Sequence, residues 1–199
     1  YSNWIIRVPE LKEYADEFGI IIVCPDGDNA SWYFDSPVNP KMRYETYISQ
    51  EVLHFIDSAY RTIADKNHRA ITGLSMGGHG ALFIAWRHTG EFAAAGSMSG
   101  GVDLTESKNK FEIVKVLGDT LHFAGNWKNY SVLNVVENKL SDSLALIIDD
   151  GIDDIFIAGN RSLHQKLLSL KIPHEYIERP GKHSWDYWRY AVRFQFLFF

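Results

Sequence analysis

The stretch that most limits how this chain can fold is Ala70-Ile71-Thr72-Gly73-Leu74-Ser75-Met76-Gly77-Gly78-His79-Gly80-Ala81-Leu82. A short apolar run gives way to small residues around one serine, and these lead straight into a helix-forming sequence. The spacing Gly73-Leu74-Ser75-Met76-Gly77 has a steric rationale. Residues two before and two after the serine pass so close to neighbouring backbone that both are expected to need the missing Cβ of glycine. A strand that turns directly into a helix is half of a βαβ unit, so the rest of the chain is expected to alternate strands and helices about a parallel sheet.

The remaining sequence follows that alternation. Leu11, Tyr14, Ala15 and Phe18 stand at helical spacing, and Gly19 ends the run. Ile20-Ile21-Ile22-Val23-Cys24 reads as a strand buried on both faces. The long loop from Pro25 to Pro40 follows it, in the position where functional loops are common. Ile48, Val52, Phe55, Ile56, Ala59, Tyr60 and Ile63 make an apolar helical stripe. Further strands are expected at 93–99, 144–148 and 174–178. Helices are expected through Trp86-Arg87-His88, along Phe156, Leu163, Leu167 and Leu170, and from Trp185 onward. The polar stretch 102–140 carries one helix signal, from Val132 to Leu140. The sequence thus predicts an α/β fold, a mostly parallel sheet with helices on both faces, in a single domain over 1–199.

Composition narrows the partners. Hydrophobic residues make up 46% and charged residues 23%, with a net charge of −5 and no basic stripe, which argues against a nucleic-acid partner. No apolar run is long enough to span a bilayer. Cys24 is the one cysteine and has no intrachain disulfide partner. The chain opens at Tyr1-Ser2-Asn3-Trp4 without Met and reads as part of a longer product, so localisation stays open.

A serine on a strand-to-helix turn has the arrangement of a nucleophile elbow. The five-residue pattern arises by chance in roughly one chain in fifteen of this length, so its context carries the weight. The N–H of Met76, opening the helix, could donate to a developing oxyanion. Serine needs a base, and the base needs an orienting group. His183 alone sits in a loop directly after the last expected strand and before a helix. His54 and His164 fall within helical patterns, His68 and His88 at element ends, and His174 at the start of a strand; His79 could line the site. Asp149, Asp150, Asp153 and Asp154 all follow the strand at 144–148, and position does not choose among them.

With these residues in view, the chain resembles the putative-esterase family of α/β-hydrolases, which includes esterase D (S-formylglutathione hydrolase), feruloyl and acetylxylan esterases of carbohydrate esterase family one, and mycolyltransferases. The likeness rests on Ile22-Val23-Cys24-Pro25-Asp26-Gly27, on Gly73 to Ala81, on Asp150-Gly151-Ile152-Asp153-Asp154, and on Pro180-Gly181-Lys182-His183-Ser184-Trp185-Asp186-Tyr187-Trp188. By position, the resemblance implies Ser75 as nucleophile, His183 as base and Asp154 as acid, with Asp153 the fallback. It also implies a strand and a His-Gly-rich loop ahead of Asn3-Trp4, carrying a second oxyanion donor, which this sequence starts too late to include. The expectation is an open sheet edge, Met76 N–H as the one donor, and a rate penalty on the order of a hundredfold.

The implied chemistry is hydrolysis of a carboxylic ester through an acyl-enzyme, with no metal or organic cofactor. Candidate substrates are acyl or feruloyl esters of a carbohydrate, or short-chain esters. Acyl transfer or S-formylglutathione-type thioester hydrolysis is the alternative within enzymes, and a non-catalytic glycan-binding module the alternative outside them. Trp32, Tyr33 and Trp127 are the candidate substrate-binding residues. The carbohydrate reading favours a secreted or periplasmic protein, in which the sequons at Asn29, Asn129 and Asn160 would matter if the source is eukaryotic.

Overall fold

A computed structural model describes residues 2–107, 110–138 and 143–199. Helices α1 (Ser2–Arg7) and α2 (Leu11–Phe18) come first. After a long irregular loop, α3 (Tyr44–Thr46) runs through a π-helical segment, Tyr47–Val52, into α4 (Leu53–Ala59). Strand β1 (Ala70–Leu74), helix α5 (Met76–Arg87) and strand β2 (Ala94–Met98) follow. Three short helices, α6 (Val114–Leu117), α7 (Ala124–Asn129) and α8 (Val132–Val135), lead to β3 (Ala145–Gly151). Helix α9 (Ile157–Ser169), strand β4 (Glu175–Arg179) and helix α10 (Trp185–Phe198) complete the chain.

The four strands form one parallel sheet in the order β1-β2-β3-β4. Alternation along each strand sends side chains to two separate cores. Ile71, Ala95, Leu146, Ile148 and Tyr176 face the larger core, with Leu82, Phe83, Trp86, Leu163 and Leu167. Leu74 and Met98 face the smaller one, built on Val8, Leu11, Tyr187, Trp188, Ala191 and Val192. Helices therefore cover both faces, as a parallel sheet requires. The aligned register, Leu74 beside Met98 and Met98 beside Asp149, brings the C-terminal strand ends to one rim.

Two expectations need correction. Ile20 to Cys24 is not a strand: no strand lies beside it among the described residues, and Ile20, Ile21 and Val23 are exposed. Ile22, which packs on the smaller core, and Cys24 are partly buried; the run forms no strand because strand formation needs a neighbour that a hydrophobic run cannot supply for itself. The stripe across 44–63 is likewise only partly buried. Ile48 is in the core, but the helix ends at Ala59 and Phe55, Tyr60 and Ile63 are exposed. The expected helix at 132–140 spans Val132–Val135, and its last two residues lie outside the described ones. On its outer side, β1 pairs with no strand among the described residues.

Candidate active site

Ser75 stands between β1 and α5 with φ 53° and ψ −118°, a conformation that a serine holds only when its surroundings impose it. Its N–H donates to the Met98 carbonyl at 2.9 Å, fixing the turn to β2. A Cβ on Gly73 would lie 2.4 Å from the Gly77 carbonyl oxygen, so that position tolerates nothing larger. Gly77 differs from expectation. A Cβ there would meet only the Tyr33 ring, at 3.9 Å, so the close approach constrains one glycine of the pair and not both. Met76 is the first helical residue, and its N–H has no intrahelical acceptor.

The candidate acid lies on the turn after β3. Asp154 N–H donates to the Gly151 carbonyl at 3.0 Å, and the Asp154 carboxylate accepts the N–H of Phe156 at 2.8 Å. This turn is docked on the loop after β4: Asp153 N–H donates to the Gly181 carbonyl at 2.9 Å. His183 is thereby held with Nδ1 2.9 Å from Asp154 Oδ2 and 3.0 Å from Oδ1, and with Nε2 2.9 Å from Ser75 Oγ. The Asp154 side chain is fully buried, while that of His183 is 21% exposed between Trp188 and Phe156. A carboxylate facing Nδ1 fixes the proton there and leaves Nε2 free to accept the serine proton.

Of the four acids, Asp154 alone reaches His183. Asp153 is exposed and contributes its backbone; Asp149 pairs with Arg179 and Tyr187; Asp150 binds Gly151 N and Asn160. His79 does not line the site. It is fully buried, with Nε2 2.9 Å from the Tyr130 carbonyl, and burial pushes its pKa down to about 3. Asn160 is also fully buried and engaged through its amide, which removes it as a glycan attachment point in the folded chain.

The expected aromatic residues divide differently. Trp127 is a core residue, 2% exposed, with its indole N–H donating to the Gly118 carbonyl. Trp32 is equally buried and donates to the Phe111 carbonyl at 3.1 Å, so it supports the rim from beneath. Tyr33 is half-buried against the elbow helix, and burial raises its pKa to about 12. The rings beside His183, Trp188 and Phe156, are not the ones expected to bind substrate. Phe156 lies 5.3 Å from the imidazole and Phe111 5.5 Å from Phe156, with Phe111 46% exposed. Phe111 sits in the stretch without periodicity, so no pattern distinguished it.

The model of the family described as Putative esterase matches residues 10–196. The chain belongs to the putative-esterase family. An esterase of Mycobacterium tuberculosis is 34% identical over 190 residues, covering 82% of this chain and 41% of the relative. The chain thus spans less than half of that protein. The acetyl esterase of Caldicellulosiruptor saccharolyticus is 24% identical, covering 94% of this chain and 74% of the relative. A solved ferulic acid esterase superposes with a TM-score of 0.79 at 30% identity, covering 98% of this chain and 77% of that one. The fold of this putative-esterase member is that of the α/β-hydrolases.

Proposed function

We propose that this chain is a serine carboxylic-ester hydrolase acting through an acyl-enzyme. The observation that carries the reading is the unbroken line from Asp154 through His183 to Ser75, with 2.9 Å at each junction. His183 Nε2 takes the Ser75 Oγ proton as Oγ attacks the ester carbonyl carbon. The carbonyl oxygen becomes an oxyanion facing Met76 N–H. Collapse breaks the bond to the alcohol oxygen, which receives the proton from His183. Water then repeats the sequence on the acyl-Ser75, releasing the carboxylic acid and restoring the serine. Asp154 holds the tautomer and stabilises the imidazolium, remaining ionised throughout.

The rim of Phe111 and Phe156 beside His183 fits an aryl or other apolar part of the substrate. Together with the likeness to a ferulic acid esterase, this favours a feruloyl or similar acyl ester of a carbohydrate over a simple acetate. The test is steady-state hydrolysis of matched feruloyl, acetyl and thioester substrates. Wild-type turnover of the feruloyl ester, lost by several orders of magnitude in Ser75→Ala, is the expected result. Equal turnover in Ser75→Ala, or none of any ester by the folded wild type, would overturn it.

A further inference from the structure

Two consecutive acids of β3 meet opposite surroundings. Asp149 pairs with Arg179 and accepts the Tyr187 hydroxyl. Asp150, equally buried, has no cation within ion-pair distance among the described residues. Its oxygens are nonetheless filled. Oδ1 accepts the Gly151 N–H at 2.8 Å and Oδ2 accepts the Asn160 amide at 2.8 Å. The nearby Ser99 hydroxyl is buried without a hydrogen-bond partner among the described residues, and its influence on Asp150 favours the ionised form, against the effect of burial. The titratable groups facing Asp150 are Asp154, on the turn after β3, and Tyr176, on β4; His183 lies beyond, bound to Asp154.

Asn160, on α9, also donates toward the Gly100 carbonyl at 2.9 Å and the Phe156 carbonyl at 3.0 Å. Gly100 backs onto the elbow, where a Cβ would stand 3.2 Å from the backbone of Gly78 and His79. Phe156 in turn holds the Asp154 carboxylate through its N–H. The pair Asp150–Asn160 therefore links the back of the serine turn to the turn that carries the acid.

Resting on the triad reading above, we propose that Asp150 is a positioning residue for Asp154. It works as a neutral carboxyl, buried with no cation beside it among the described residues, whose oxygens accept the Gly151 and Asn160 N–H groups. The single negative charge of this pocket then stays on Asp154, facing His183. Burial, and the charge of Asp154 beside it, push the pKa of Asp150 up to about 8.

Two readouts test this. A carboxyl that is neutral when folded and ionised when unfolded gives stability that is present at acid pH and lost as pH rises toward its folded pKa. Asp150→Asn cannot ionise and escapes that loss, so its Tm relative to wild type is expected to rise between about pH 5 and pH 8. A difference that stays flat or falls overturns the neutral state, whether or not the chain cleaves esters. In the kinetic arm, Asp150→Ser leaves two N–H donors unmatched and is expected to lose kcat on the order of a hundredfold with KM little changed. Asp150→Asn, which keeps the shape and one acceptor oxygen for these N–H groups, is expected to recover most of it. Equal loss in both variants would show that charge is needed, and full kcat in Asp150→Ser that no positioning occurs; either overturns the proposal. If Asp150→Ser does not fold, the Tm comparison decides. A wild type inactive on every ester would defeat the triad reading instead, and the Tm arm would still report on Asp150.

Discussion

Ser75 is held by backbone more than by its own side chain. Its positive φ is sustained because β1 and α5 come together with no atom to spare at Gly73. Gly73→Ala must push the added methyl into the Gly77 carbonyl, and it is expected to destabilise by at least about 1–3 kcal/mol in urea unfolding. Gly77→Ala has room beside the Tyr33 ring and gains helix propensity, so it is expected to be neutral or stabilising by up to about 1 kcal/mol. The reverse ranking would contradict the steric account. The pattern around the serine was thus legible in the sequence, whereas the unequal demand on its two glycines was not. That demand depends on how the turn folds Gly77 back onto Gly73, which puts the Gly77 carbonyl over Gly73 and leaves room at Gly77 itself.

At the level of elements, the sheet's C-terminal edge is joined to α10 through a buried ion pair. Arg179 of β4 reaches Asp149 of β3, which also accepts the Tyr187 hydroxyl, and the guanidinium lies 4.0 Å from the centre of the Phe194 ring. Burial pushes the Asp149 pKa up, and Tyr187 and Arg179 pull it back down. Arg179→Met removes a counterweight, and a buried carboxylate left without its partner costs about 3–5 kcal/mol. Because the folded pKa then rises further, stability is lost progressively as pH increases. The deficit against wild type is expected to be larger at about pH 8 than at about pH 5 in parallel denaturant titrations. A deficit that shrinks with pH would contradict this. The strands at 94–98, 145–151 and 175–179 were readable from short apolar runs and their breakers, because their partners lie in sequence order. That Asp154 rather than Asp153 reaches His183 was not readable from position: the turn is oriented by the Asp153 N–H bond to Gly181, a contact between two loops.

Across the whole molecule, apolar surface is unevenly covered. Ile20 to Cys24 carries a strand's sequence without a strand's pairing, Ile21 and Val23 are exposed, and β1 has an unpaired outer side among the described residues. Local periodicity reports burial propensity, and it cannot report whether a neighbour exists; this is why the sequence overstated that segment. Unpaired edges beside apolar side chains promote association. Light scattering of the 199-residue chain is expected to show concentration-dependent association that Ile21→Lys with Val23→Lys reduces. Unchanged scattering would place the contact elsewhere.

We propose that Ser75 is an activated nucleophile, poised by His183 and Asp154 in the folded chain. The most direct measurement is reaction with a fluorophosphonate probe, read by intact mass and peptide mapping, on wild type, Ser75→Ala and Asp154→Asn. One adduct is expected, on Ser75, absent in Ser75→Ala and formed orders of magnitude more slowly in Asp154→Asn. A folded wild type that takes no adduct, or takes it at another residue, would contradict it.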